Sequence, residues 1–265
     1  MFNKLLKYDL KYIFNSPLAT LAAATLLSAV IARLVDLWEA PIADGIVLVA
    51  ENFTFSLAIA TVINCMTRIG VGFKYKLFGD EAYLTHTLPV KKSTIYNSKF
   101  ISALLAMVVS AIVGIASVAF AYNLAPSDLA ASLETQLSVA AQIFDLPVPA
   151  YLAALAFLIA LELMLVLAVS FTSMLVGHRK SDRRALRTSL TTILAYLAAQ
   201  LLVVAALFTY ALINRDAMSI FTGAKLEHIA TVKSLFEVGI LAYSLDLLIL
   251  YRLDLYLLEK GVNID

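Results

Sequence analysis

The chain has 265 residues, 62% of them hydrophobic and 15% charged, and its net charge is +1. Soluble domains carry about 45–50% apolar and about 25% charged residues, so a chain this apolar must present much of its surface to lipid. The charge balance gives no reason to expect a nucleic-acid partner. The single cysteine, Cys65, rules out an intrachain disulfide and a zinc site made of cysteines alone.

The first element is short and amphipathic. Phe2–Phe14 sets Phe2, Leu5, Leu6, Tyr12, Ile13 and Phe14 among Lys4, Lys7, Asp9 and Lys11, with Pro17 closing it. This pattern predicts a basic helix lying in a headgroup layer, which also serves as an orientation signal. The small-residue cleavage region that follows the apolar core of a secretory signal is missing.

A hydrocarbon core about 30 Å thick is crossed by roughly 20 helical residues. Six stretches qualify: Leu18–Leu37, Ile46–Cys65, Ile101–Tyr122, Tyr151–Leu175, Leu190–Leu212 and Leu235–Tyr251. They are continuous apolar runs rather than the alternating segments of about ten residues that build a barrel. The expectation is an all-α integral membrane protein, one transmembrane domain over residues 1–265.

Lysine and arginine placement orients these spans. The amino terminus, the second and fourth connections and the tail hold sixteen of the twenty, against Arg33, Arg215, Lys225 and Lys233 on the other side. Both termini are therefore expected in the cytoplasm, which agrees with an even number of spans.

Polar residues inside the spans need a reason. The first span carries Ala24, Ser28 and Ala32, and the third carries Ser102, Ala106, Ser110 and Gly114. Small residues four apart predict close helix packing, within this chain or against a second copy. Glu162 falls in the middle of the fourth span, with Glu237 and Asp246 in the sixth. A charge at mid-bilayer costs about 2.5–3.5 kcal/mol on insertion scales. Glu162 and Asp246 are therefore candidates for an intramembrane polar site, either lining a substrate path or bonding structurally to a neighbouring helix.

The connections also differ from one another. Leu129–Phe144 spaces its apolar residues as a surface helix on the outer leaflet would, and Asn214–Lys233 is polar enough for one or two short helices. Gly177–Arg187 is strongly basic. It could dock an acidic surface or anionic lipid, although topology alone accounts for it.

The segment Leu77–Phe100, LFGDEAYLTHTLPVKKSTIYNSKF, is too elaborate for a simple reversal. Asp80 after Gly79 is a good N-cap, Glu81 suits a first turn, and Pro89 stops the helix, which predicts a short helix over Glu81–Thr87. Ser93 or Thr94 would then cap the third span. Tyr83, Leu84 and Leu88 would stand exposed as a docking surface.

The chain has no Gly-rich phosphate loop ending in Gly-Lys-Ser or Gly-Lys-Thr, and its histidines lack metal-ligand spacing. No catalytic, cofactor-binding or metal-binding residue is assigned.

Glu81, Tyr83, Leu84, Leu88, Pro89 and Val90, followed by Lys91, Lys92, Ser93 and Ser98-Lys99-Phe100, resemble the permease subunits of ABC-2-type transporters. The layout of an amphipathic start, six spans and a cytoplasmic segment between spans two and three is similar too. The long third connection departs from it. The resemblance implies a coupling helix at Asp80, Glu81, Tyr83, Leu84, Leu88 and Pro89 that fits a separate ATP-binding cassette subunit. ATP and magnesium would be bound by that partner, and a second permease copy or homologue would complete the path in a bacterial plasma membrane. Export of an amphiphilic peptide, lipid or drug, with antimicrobial peptides as one possibility, is the implied activity. A non-transporting membrane scaffold or sensor and a proton-coupled carrier are the alternatives.

Overall fold

Helices account for all the regular structure among the residues described by the computed structural model. Those residues are 2–37, 43–79, 81–87, 89–122, 138, 147–179, 183–214, 217–218 and 229–260. In chain order they form α1 (Phe2–Ile13), α2 (Ser16–Asp36), α3 (Ala43–Phe78) and α4 (Ala82–Thr87). These are followed by α5 (Lys92–Ala121), α6 (Val148–Gly177), α7 (Arg184–Ile213) and α8 (Ile229–Glu259). Six of them, α2, α3 and α5 to α8, are long and apolar enough to cross a membrane, so this is a multi-pass, all-α membrane protein. The expected surface helix at Leu129–Phe144 and most of Asn214–Lys233 lie outside the described residues.

The chain divides into two helical units, residues 1–130 with 264–265 and residues 131–263. In the first unit α2 starts where Asn15 has extended backbone, and Pro17 sits in the opening turn, where its missing N–H is not needed. Hydroxyls join α2 to α3: Thr25 and Thr61 lie 3.0 Å apart, and Thr54 donates to Ser28 at 3.0 Å. Interhelical bonds of this kind average about 0.6 kcal/mol each in membrane proteins. The α2 packing stripe is therefore Thr25, Ser28, Ala29 and Ala32, all buried, and the expected Ala24 is exposed. On α5 the expected stripe of Ser102, Ala106, Ser110 and Gly114 is buried, and Gly114 brings α5 close to Ala58 of α3.

The second span is far longer than its apolar run. At 1.5 Å per residue the 36 residues of α3 extend about 54 Å, well beyond a 30 Å hydrocarbon core. Arg68, Lys74 and Lys76 therefore ride on a helical stalk instead of a loop. A second stalk opens α5, which starts at Lys92. Its N-cap is Lys91, without a side-chain cap bond, in place of the expected Ser93 or Thr94. Backbone bonds to the Lys91 carbonyl from Thr94 and Ile95, with Ile95 and Tyr96 buried, hold the first turn without a hydroxyl cap.

In the second unit α6, α7 and α8 pack on one another. Pro147 caps α6, and Arg183, in the left-handed region at φ 49°, leads into α7. Leu190, Ile193, Leu194, Leu197 and Leu201 of α7 remain exposed, as side chains facing lipid would. Gly177, the last residue of α6, lies directly under Thr188 of α7. A Cβ there would collide with the Thr188 hydroxyl and stand 3.1 Å from its Cβ and its backbone nitrogen. Gly177→Ala is accordingly expected to lower stability by about 1–3 kcal/mol, the usual cost of overpacking. Thermal unfolding in detergent checks this, with Thr188→Ala recovering part of the loss.

Candidate functional site

Two places in the molecule concentrate polar chemistry. The first lies where α1 meets the stalks. Lys4, Lys7, Tyr8 and Lys11 are exposed on α1, while Asp9 and Ile13 are buried. Asp9 receives Lys76 Nζ of α3 on Oδ1 at 2.7 Å and the Ser98 hydroxyl of α5 on Oδ2 at 2.7 Å. Lys99 Nζ stands 3.5 Å from the same Oδ1. One carboxylate thus ties three helices together. Lys76 also lies over the Tyr12 ring, 4.8 Å from its centroid. That ring reaches α3 because Gly72 has no side chain, and a Cβ there would stand 2.5 Å from Tyr12 Cε1.

Burial alone would raise the pKa of Asp9. The attraction of Lys99 and Lys76 and the bonds from Lys76 and Ser98 outweigh it and hold the carboxyl below its ordinary value of 3.8. The two cations exceed the one anion, and Glu81, at the entrance to α4, is within Coulombic reach of Lys99.

Helix α4 occupies Ala82–Thr87, one residue shorter than the expected Glu81–Thr87. Its first residue is pinned: Ala82 is fully buried and its amide donates to the Gly79 carbonyl at 2.8 Å. On α3, against which α4 packs, Phe73, Leu77 and Phe78 are buried, with the Phe73 and Phe78 rings edge to face at 6.3 Å. Tyr83 points away from this base, 70% exposed. Glu81 and Pro89 are exposed as well. Asp80, Leu88 and the side chain of Leu84 lie outside the described residues.

The second place is where α6, α7 and α8 pack on one another. Glu162 Oε1 accepts the Tyr196 hydroxyl at 2.9 Å, and Tyr243 donates to Gln200 Oε1 at 3.4 Å. One turn along α8, Asp246 is buried, 3% exposed, and its Oδ2 has no hydrogen-bond partner. Further along, the Thr172 hydroxyl of α6 donates to Asp254 Oδ1 at 2.6 Å. Asp246 lines a cavity of about 440 Å³, and Glu162 is not part of that lining.

The Asp9 cluster and the roles of Tyr196, Gln200 and Asp254 were not assigned from the sequence. One signal was available: Asp9 is the only acid in a helix carrying three lysines. Comparison of the chain with protein-family models, with curated proteins and with solved structures finds no match. Fold and sites together define a class, an all-α multi-pass membrane protein with a buried ion cluster at its helical stalks.

Removing the anion strands two cations. Asp9→Asn is expected to cost about 3 kcal/mol in thermal unfolding, as when one partner of a buried pair is lost, and adding Lys99→Met should recover part of that. Because the folded carboxyl titrates below 3.8, its stabilisation is present above that pH and is lost as pH falls through the lowered value. A spin label at Tyr8→Cys should therefore stay immobile down to about pH 4 and loosen only below it. In Asp9→Asn it should be loose throughout.

Proposed function

We propose that the chain is the membrane-spanning subunit of an ATP-driven exporter of the ABC-2 type. Two such subunits, identical or related, form the path, and separate ATP-binding cassette subunits bind ATP and magnesium. In this reading the chain lies in a bacterial plasma membrane with both termini in the cytoplasm, where the basic residues of the stalks belong. The cargo is amphiphilic, in keeping with spans that offer few polar groups.

The observation that carries the reading is α4. It is a six-residue helix between two helical stalks, buried at Ala82 and open at Tyr83. A helix whose only task was to reverse the chain has no need of a solvent-facing aromatic on a rigid base. As a coupling helix it would offer exposed Tyr83, Glu81 and Pro89 to a cleft on the ATPase, with Asp80, Leu84 and Leu88 as the further members that the resemblance implies.

The stalks give the push a mechanical path. Closure of the ATPase dimer on ATP would press on α4, and α3 and α5 would move with it. The Asp9 cluster makes α1 travel with both stalks, because Lys76 and Lys99 belong to α3 and α5. The bundle then switches between inward- and outward-facing packings as a set of rigid helices.

Tyr83→Asp combined with Leu84→Asp tests the coupling assignment. Purified from native membranes, the double variant is expected to lose at least tenfold in co-purifying ATP-binding cassette subunit while inserting at the normal level. Unchanged association, read by quantitative mass spectrometry, would remove the coupling role.

A further inference from the structure

The cavity between α6, α7 and α8 takes no part in coupling and has a chemistry of its own. Its volume, about 440 Å³, lies in the ordinary range for ligand sites. It is a groove open to the outside of the helices: Leu194, Leu202 and Ile249 form an exposed apolar rim, Leu250 is buried at its base, and its polar members are Asp246, Thr172 and Thr191. Neither threonine has a free proton to donate inward. Thr172 already has Asp254 Oδ1 at 2.6 Å and the Ala168 carbonyl at 2.9 Å as acceptors. Thr191 donates to the Arg187 carbonyl at 2.7 Å. Each hydroxyl has one proton, so what remains to face the cavity is oxygen lone pairs.

Asp246 completes the set. It is 3% exposed, Oδ2 has no hydrogen-bond partner, and among the described residues it makes no ion pair. Arg187, one turn before Thr191, does not pair with it. Two threonine oxygens and an unpaired buried carboxyl are matched by a ligand with N–H donors, and a positive charge on that ligand is what stabilises the carboxyl in its ionised form. Its apolar wall asks for a hydrocarbon body on the same ligand.

We propose that this cavity binds a cationic amphiphile bearing a primary ammonium group. The ammonium pairs with Asp246 and donates to the Thr172 and Thr191 oxygens, and the hydrocarbon chain lies along Leu194, Leu202, Ile249 and Leu250. That such a molecule is cargo rests on the exporter reading above; that it binds does not. Cation selectivity then comes from a single carboxylate, and affinity from the apolar wall.

The test uses the full chain in nanodiscs without any ATPase. Trp38→Phe with Leu202→Trp places the single tryptophan at the cavity, and its fluorescence follows titration with dodecylamine, dodecanol and dodecanoate. Dodecylamine is expected to bind at least tenfold more tightly than dodecanol, and dodecanoate more weakly than either. Asp246→Asn in the same background should abolish the preference for the amine and leave dodecanol binding unchanged, which also shows that the variant is folded. Ala198→Phe, which fills the cavity, should block both. Equal affinity of dodecylamine for the chain with Asp246 intact and for the Asp246→Asn variant, or dodecanol binding as tightly as the amine, would overturn the site. Either result with ATPase association intact would leave the exporter reading standing. Loss of that association with amine selectivity intact would remove the exporter reading and keep the site.

Discussion

Polar side chains among hydrocarbon have no water to fall back on, so each must find a partner on its own helix or on a neighbour. Much of this molecule follows from that. Thr25, Thr54, Thr61, Thr172 and Ser173 each lie within hydrogen-bond distance of the carbonyl four residues back, which gives every hydroxyl proton an acceptor on its own helix. Those that also reach another helix choose its packing partner, as Thr25 does with Thr61 and Thr172 with Asp254. Apolar contact alone cannot make this choice, because a leucine is as well placed against lipid as against another leucine.

Three buried aspartates show how the same requirement is met differently. Asp9 lies where stalks extend beyond the apolar runs, and lysines on long flexible stems can be brought to it from two helices. Asp254 is served by a threonine hydroxyl. Asp246 has neither on Oδ2. An acid buried in a span with an unpartnered oxygen and a groove beside it is the natural place for something other than this chain to complete the structure.

The spans were legible in the sequence because hydrocarbon thickness and helix rise leave few choices for a continuous apolar run. Their ends were not. Ile46–Cys65 shows only the apolar part of α3, and the helix runs on to Phe78 because Phe73, Leu77 and Phe78 bury against neighbours that a window of hydropathy does not register. The short helix before Pro89 was legible from turn chemistry, since proline cannot continue a helix, but it starts at Ala82, so the expected first-turn Glu81 precedes it and no acid lies in its first turn. The Asp9 cluster was hidden for another reason. Lys76 and Lys99 look like ordinary topology signals, and nothing local says that residues 67 and 90 positions from Asp9 will share its oxygens. On α2 the four-residue spacing finds Ser28 and Ala32 on the packed face and errs only at its first member, where Thr25 is buried and Ala24 is exposed.

The position of the Asp9 cluster also limits what α1 can be. A helix held to a membrane only by its apolar face can slide and rotate, and it would carry no force between the stalks. A carboxylate held by Lys76 and Ser98, with Lys99 beside it, removes that freedom, because any rotation of α1 about its axis breaks charge-assisted bonds on two different helices. The Tyr12 ring on Gly72 adds a steric register to the electrostatic one. An orientation signal would need only its lysines. Burying an acid among them makes α1 a structural member of the bundle, one that cannot shift without shifting α3 and α5.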